Sequence, residues 1–334
     1  MPAAQNSTLL QAIIRGYEDS GCAAFPSTPE RRNPRKFVLV DQHDAQTTEV
    51  WIYAWTLTPG GRPSLPYEYR IQMTSVGSPL DLNPAGPTLL LGYKPDEKLF
   101  AGFDLAKHRT FKIGSPSVQI DIRIVREALA KGLSFGQKEN DEIAIGIGPN
   151  QLLDYTLNAA QLHRLGSDAK AVDLLRLAVD LKPLPKREIK SLSLERMRVI
   201  QTISRLTRDA SFRHDVLSAY DNQCAVTGVQ LQLVDAAHIL PVGAKGSSDD
   251  VRNGICLSPT YHRAYDLGII YMNEKFTMLP NPPKLERLRA LNLAGGEAGF
   301  FQSLGRLHLP TNPDFAPSLE FIRRANAFRG IQSQ

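Results

Sequence analysis

The hydrophobic period of this chain changes once along its length, and that change limits the fold more than anything else in the sequence. Residues 36–105 carry short runs rich in β-branched and aromatic residues: KFVLV (36–40), EVWIYAWTL (49–57), YEYRIQMT (67–74), TLLLGY (88–93) and KLFAGFDL (98–105). Such runs form strands, and the Gly- and Pro-containing stretches TPGGRPSLP and SPLDLNPAGP between them mark loops. TLLLGYKPDEKLFAGFDL reads as a hairpin turning at KPDE, and SVQIDIRIVREALAKGL passes from alternation into a helical pattern. From NQLLDYTLNAAQLHRLG onward the period is helical, with Gly166 as a stop, and SDAKAVDLLRLAVDLK follows as a capped amphipathic helix. KPLPKRE (182–188) is the best break in the chain, and SLERMRVIQTISRL and DASFRHDVLSAY are expected as two further helices. Strands first and helices after them predict an α+β protein. Its expected parts are a mainly antiparallel β-rich domain over 1–165, a basic helical linker over 166–207 and a second domain over 208–334. At about 100–200 residues per domain, 334 residues suit two domains.

Composition narrows the setting. The chain is 42% hydrophobic, enough for ordinary cores, and no apolar run approaches the ~20 residues that span a bilayer. The first residues lack the basic and apolar regions of a signal peptide. Three scattered cysteines, Cys22, Cys224 and Cys256, form no CxxC pair and suit a reduced, cytoplasmic protein without membrane contact. Net charge is +5, and residues 183–213 alone hold eight basic against three acidic residues, an excess equal to that of the whole chain. Such a stretch is either a solvated helix face or a surface for phosphates, with Arg196, Arg198 and Arg205 as candidate contacts.

VDAAHILPV (234–242) is where the sequence becomes specific. CAVTG and LQLVDAAHIL are expected to form a short strand pair that carries the chain to His238. A polar loop follows, then a turn holding Asn253, then a helix beginning at SPTYHRAYD. Ser258 suits its N-cap, Pro259 its first position, and His262 falls in its first turns. Each residue has an ordinary alternative. His238 ahead of Ile-Leu-Pro could be a core histidine, Asn253 before Gly254 a plain turn residue, and His262 a surface residue.

The combination CAVTG…DAAHILP…DDVRNGICLSPTYHRAYDLG resembles the HNH endonuclease superfamily, the ββα-metal nucleases. It is similar in particular to the branch described as predicted restriction endonucleases, with its AHI…NGL.L…H..FD signature. FRHDVLSAYDNQCAVTG upstream and LHLP with SLEFIRRANAFR downstream extend the resemblance over about residues 208–330, while no family is recognised in residues 1–180. The resemblance implies double-stranded DNA as substrate and a divalent cation, Mg²⁺ or Mn²⁺, as cofactor. It gives His238 the role of general base, for which an imidazole titrating near pH ~6.5 is suited. It makes Asn253 the residue that ties the loop behind His238, and His262 a metal ligand. Many relatives carry the first metal ligand immediately before the base, where this chain has Ala237. Asp235, two residues back on the same strand face as Ala237, is the candidate replacement, with Asp249, Asp250 and Asp266 as rivals. Arg252 and Arg263 flank these positions as candidate DNA contacts. Many relatives also bind a structural zinc through two CxxC pairs. Cys224 and Cys256 cannot do so and are expected in the core.

Three functions fit these residues. The first is a metal-dependent DNA endonuclease of restriction or defence type, whose N-terminal domain selects the target, modified DNA included. Trp51, Tyr53, Trp55, Tyr67, Tyr69 and Tyr93, beside basic residues such as Arg70, Lys94 and Lys98, could pocket a base there, although alternation of this kind also fills any sheet core. The second is a non-specific DNase released when that domain senses a small nucleotide or a protein. The third is an inactive DNA-binding module, against which the intact His238, Asn253 and His262 argue. One active site per chain makes a homodimer plausible for double-strand cutting.

Overall fold

The computed structural model describes residues 6–27, 32–41, 46–112, 114, 116–138 and 140–331, and the chain divides into two compact units, residues 1–207 and 208–334. The first unit opens with α1 (Asn6–Asp19), followed by β1 (Cys22–Pro26), β2 (Arg35–Asp41), β3 (Thr47–Thr56), β4 (Thr58–Pro59), β5 (Glu68–Gln72), β6 (Thr88–Lys94) and β7 (Leu99–Phe103). Then come α2 (Leu105–His108), β8 (Ser117–Asp121), α3 (Ile122–Lys131), β9 (Leu133–Gln137), β10 (Ile143–Ile147), α4 (Leu152–Arg164), α5 (Ala169–Val179) and α6 (Lys186–Lys190). Seven strands form one sheet in the order β1-β2-β3-β6-β7-β10-β9, antiparallel throughout except where β3 runs parallel to β6. A smaller sheet is ordered β4-β5-β8.

Strand alternation divides the large sheet between two cores. Ile52, Ala54, Leu89 and Leu91 face the side where α1, α4 and α5 supply Ile13, Leu162 and Leu175. Tyr53 and Leu90, one residue along, face the opposite side and meet Ile71, Val118 and Val125 of the smaller sheet and α3. Both faces are therefore dry, and each buried aliphatic side chain contributes about 1.5–3 kcal/mol over its exposed state. The aromatic residues expected around one pocket are split by the same alternation. Tyr53 and Trp55 stack on the second face, whereas Tyr93 belongs to the first.

Residues 166–207, set apart by the sequence as a linker, lie in the first unit. The apolar stripe of α5 is broad: Ala171, Val172, Leu174, Leu175, Ala178 and Val179 are all buried, and the helix packs on the edge strand β9. The two helices expected after it are one, α7 (Leu194–Ala219), because no Gly or Pro interrupts residues 194–219. Val199, Ile200 and Ile203 belong to the core of the first unit, and Phe212 and Val216 to that of the second.

The second unit continues with β11 (Asp235–His238), β12 (Gly254–Leu257), α8 (Pro259–Asp266), β13 (Ile270–Met272), β14 (Met278–Pro280), α9 (Pro282–Ala290), α10 (Glu297–Phe301) and α11 (Leu319–Phe328). The expected pairing of CAVTG with the His238 strand is not formed. Residues 224–229 close into a tight turn instead, with Gly228 N–H donating to Cys224 O and Cys224 N–H to Val229 O, and Gly228 at φ +70°. The partner of β11 is β12, antiparallel, with Asp235 opposite Leu257 and His238 opposite Gly254. Cys22, Cys224 and Cys256 are all buried as free thiols.

Gly254 is required by close approach. A Cβ there would lie 2.1 Å from Cγ2 of Val216 and 3.0 Å from the Val251 carbonyl oxygen. Gly254→Ala is expected to push α7 off β12 and to cost about 1–3 kcal/mol, read as a lower urea midpoint of the second unit's transition.

Candidate active site

His238 ends β11, and strand alternation turns it away from the face of Asp235 and the fully buried Ala237. Two contacts fix its ring. The Phe212 ring lies 3.8 Å from it, centroid to centroid, at an interplanar angle of 12°. Its Nε2 lies 3.1 Å from Asp249 Oδ1. A carboxylate can only accept, so the Nε2 position carries the proton and the neutral ring keeps its lone pair at Nδ1. Nδ1 enters no hydrogen bond among the described residues.

Asn253 holds the loop between the two strands. It is fully buried, its Oδ1 accepts from Leu240 N–H at 2.8 Å, and its Nδ2 donates to Ser248 O at 2.9 Å and to Leu240 O and Ser247 Oγ at 3.2 Å. Its own carbonyl accepts from Ile239 N–H. Both ends of the 240–248 loop are thus tied to the residue that precedes β12, and Asp249, next along the chain, is carried to His238.

Pro259 at the first position of α8 puts His262 one turn into the helix, where its N–H donates to Ser258 O. Its Nδ1 is 3.7 Å from Asp235 Oδ2 and its Nε2 3.3 Å from Asp266 Oδ2. Asp235 also pairs with Arg213, 3.2 Å away. The His262 imidazole is held above its ordinary value chiefly by Asp235, with burial opposing and Asp266 adding to the rise. Asp250 is committed elsewhere: it receives the Arg252 N–H and guanidinium, which hold its carboxyl below the ordinary range. The structure thus brings Asp235 to His262 and Asp249 to His238. No hydrogen bond or ion pair joins the two histidines, and no group of three or more His, Cys, Asp or Glu able to hold an ion is present among the described residues.

The candidate DNA contacts differ among themselves. Arg196 is paired with Asp168 at 2.6 Å, whereas Arg198 and Arg205 are exposed and enter no hydrogen bond or ion pair among the described residues. Arg252 keeps an exposed guanidinium beside Asp250, and Arg263 is exposed on α8. Sequence reasoning missed Phe212 as a site residue and took Asp249 only as a rival ligand. Phe212 lies 26 residues before His238 on another element, so no local spacing marks it.

Asn253→Ala removes the partners of Leu240 N–H and of Ser248 O, while Leu240 O keeps the Ser247 hydroxyl at 2.8 Å. At about 1–3 kcal/mol per buried group left unsatisfied, a clear fall in melting temperature is expected, with Ala236→Ser at a half-buried strand position as a mild control. Protonated His262 is favoured in the folded, cation-free protein. Its contribution to stability is therefore fully present below the ordinary imidazole value of about 6.5 and is lost as pH rises through the higher folded value. His262→Gln should reduce the fall in stability between pH 6 and pH 8 in chelator, measured by urea unfolding.

Residues 224–273 match the family model described as HNH endonuclease, a span that contains β11, β12, α8 and β13 in ββα order. Residues 48–156 match the model described as Methylase-associated X1, from β3 into α4. None of the curated proteins matches the chain. Among solved structures, the chain is similar to a "Modification dependent TagI restriction endonuclease" at 14% identity, over 82% of this chain and 80% of that one, with a TM-score of 0.27, too slight a likeness to carry fold or activity across. Residues 224–273 are an HNH endonuclease domain, and the chain that carries them is a DNA nuclease, a hydrolase.

Proposed function

We propose that this protein is a metal-dependent DNA endonuclease of restriction and defence type, in which His238 takes a proton from water and the first unit selects the DNA target. The observation that carries the reading is the His238 ring, clamped face-on by Phe212 and held at Nε2 by Asp249, with Nδ1 left without a partner among the described residues. A ring fixed in this way presents one lone pair in one direction, which is what a general base needs. Asp249, by accepting from Nε2, fixes which ring nitrogen takes the proton. Asn253 acts through the loop: by fastening Leu240, Ser247 and Ser248 it sets the place of Asp249.

His262 and Asp235 are the residues that would hold the cation. The donors present fit a hard ion, since one imidazole nitrogen and one carboxylate oxygen face each other at 3.7 Å, and Mg²⁺ ordinarily fills its other positions with water and substrate phosphate. When bound, Mg²⁺ or Mn²⁺ supplies counter-charge to the phosphate and to the leaving oxygen. Arg213 on the other Asp235 oxygen holds that carboxylate in place. Asp266, on the far nitrogen of His262, orients the ring. Exposed Arg198 and Arg205, with Arg252 and Arg263, supply cations for the DNA backbone, whereas Arg196 is committed to Asp168. Phosphate contacts position the duplex without reading it, so selection falls to the first unit. Cutting both strands calls for two such sites, one from each of two copies.

His238→Ala should slow plasmid nicking by about 10²–10⁴-fold, the usual worth of a positioned base, while circular dichroism and DNA binding stay as in the wild type. A melting temperature that falls in step with activity would make His238 a packing residue. Excess EDTA should stop cleavage, and added Mg²⁺ or Mn²⁺ should restore it; cleavage that persists in EDTA removes the metal reading. Arg198→Glu with Arg205→Glu should weaken binding to all duplexes alike and lower the salt slope by about 0.9 for each phosphate no longer neutralised. An unchanged slope would leave both as solvated surface.

A further inference from the structure

The first unit holds a cavity that the nuclease chemistry does not use. α1 buries Leu9, Ile13 and Tyr17 in the core, while Thr8, Ala12, Arg15 and Asp19, spaced by three or four residues, line one side of a space of about 540 Å³. Tyr93 and Phe100, 6% and 4% exposed, lie at its floor with ring centroids 4.9 Å apart, and Lys98, the residue before β7, stands on its rim. Gly16 brings α1 down onto that floor, since a Cβ there would lie 2.9 Å from Leu152 Cδ2 and 3.1 Å from Phe100 Cε2. Arg15, Lys98 and Asp19 enter no hydrogen bond or ion pair among the described residues, whereas Lys94 pairs with Asp96 and Arg126 with Glu97 beside the same turn. Two unpaired cations and one unpaired carboxylate thus surround an apolar, aromatic floor.

We propose that this cavity is a nucleotide site, in which a base lies against Tyr93 and Phe100, a phosphate meets Arg15 and Lys98, and an amino group of the base meets Asp19. The size lies within the ~300–1,000 Å³ of small-ligand sites. Aromatic side chains take any nucleobase by its face or edge, and a guanidinium suits a phosphate in geometry as well as charge. Asp19 decides the class further. A carboxylate beside the cations would repel a bare anion, so the ligand must also bring a hydrogen-bond donor; cytosine, adenine and guanine offer an exocyclic amine, whereas thymine offers only its imide N3–H. Burial raises the Asp19 carboxyl, with Arg15 opposing, and the side chain remains exposed to an incoming ligand. The same chemistry has two sources, a free nucleotide or a nucleotide swung out of the duplex. The site deepens the reading of the first unit as the selecting part and rests on that reading.

The test uses the full-length protein. dCMP, dAMP, dGMP and dTMP are titrated by calorimetry, and a duplex carrying 2-aminopurine is followed by its fluorescence, which rises on unstacking. Each is repeated with Arg15→Glu, with Lys98→Gln and with Ala12→Trp, which fills the cavity from a half-buried helix position; the melting temperature of each variant shows that it is folded. The amino-bearing nucleotides are expected to bind more tightly than dTMP, with affinity about tenfold or more lower in Arg15→Glu and Ala12→Trp. Binding of the mononucleotides alone assigns the site to a free ligand, and a 2-aminopurine signal lost in Ala12→Trp assigns it to DNA. No response to either probe at about 1 mM, or a response that all three variants leave intact, overturns the proposal. Should Ala12→Trp fail to fold, Arg15→Glu and Lys98→Gln decide alone. Cleavage by the wild type, scored separately against His238→Ala, tells a failure of this site from a failure of the nuclease reading.

Discussion

Four hydrogen bonds from one buried amide hold the active region of the second unit together. Asn253 spends both ends of its side chain on Leu240, Ser247 and Ser248, and its backbone carbonyl on Ile239. The 240–248 loop has no strand or helix to fix its path. Without the amide, Leu240 N–H in the interior would be left without a partner, Ser248 O would lose its own, and the loop that delivers Asp249 to His238 would lose its anchor. The β11–β12 register depends on the same region, because Gly254 directly follows Asn253 and sits opposite His238 under Val216. An aspartate could accept from Leu240 N–H but would set an oxygen against the Leu240 and Ser248 carbonyls, which is why an amide suits this position and a carboxylate does not.

Much of this was legible in the sequence where local pattern decides the structure. β2, β3, β5, the passage from β8 into α3, the Asp168 cap of α5 and the Pro259 start of α8 follow from alternation and capping, and β6 and β7, buried on both faces, from the KPDE turn between them. β9, β10 and β12 were not legible for a common reason. IAIGI and GICL are buried on both faces, so they show no alternation, and short apolar runs of that kind do not declare their partners. α7 looked like two helices because its apolar residues serve the first core at Val199, Ile200 and Ile203 and the second at Phe212 and Val216. CAVTG looked like a strand because its residues favour one, yet the turn bonds closing on Gly228 prevail.

The candidate site divides along the same line. His238, Asn253 and His262 could be found from their order and the residues around them. Their partners lie within the same quoted stretches, but which side chain each meets could not be read: Phe212 comes from α7, Asp249 from a loop whose path Asn253 sets, and Asp266 from the next turn of α8. Asp235 was reached by counting residues along a strand, and it does meet His262, but together with Arg213, which no count along β11 would suggest.

Everything proposed for the second unit turns on His238 moving a proton, with Phe212 and Asp249 holding the ring for that purpose. Chemical rescue tests this step without intermediaries. His238→Gly leaves a space of imidazole size bounded by the Phe212 face and the Asp249 carboxylate, and the nicking rate of this variant can be followed as imidazole is added at fixed ionic strength and saturating Mg²⁺. If His238 is the base, the rate rises with the concentration of unprotonated imidazole, saturates, and recovers part of the about 10²–10⁴-fold loss, with a smaller recovery when Phe212→Leu is added. A folded His238→Gly protein whose rate does not respond to imidazole, or that nicks as fast as the wild type without it, would contradict that role.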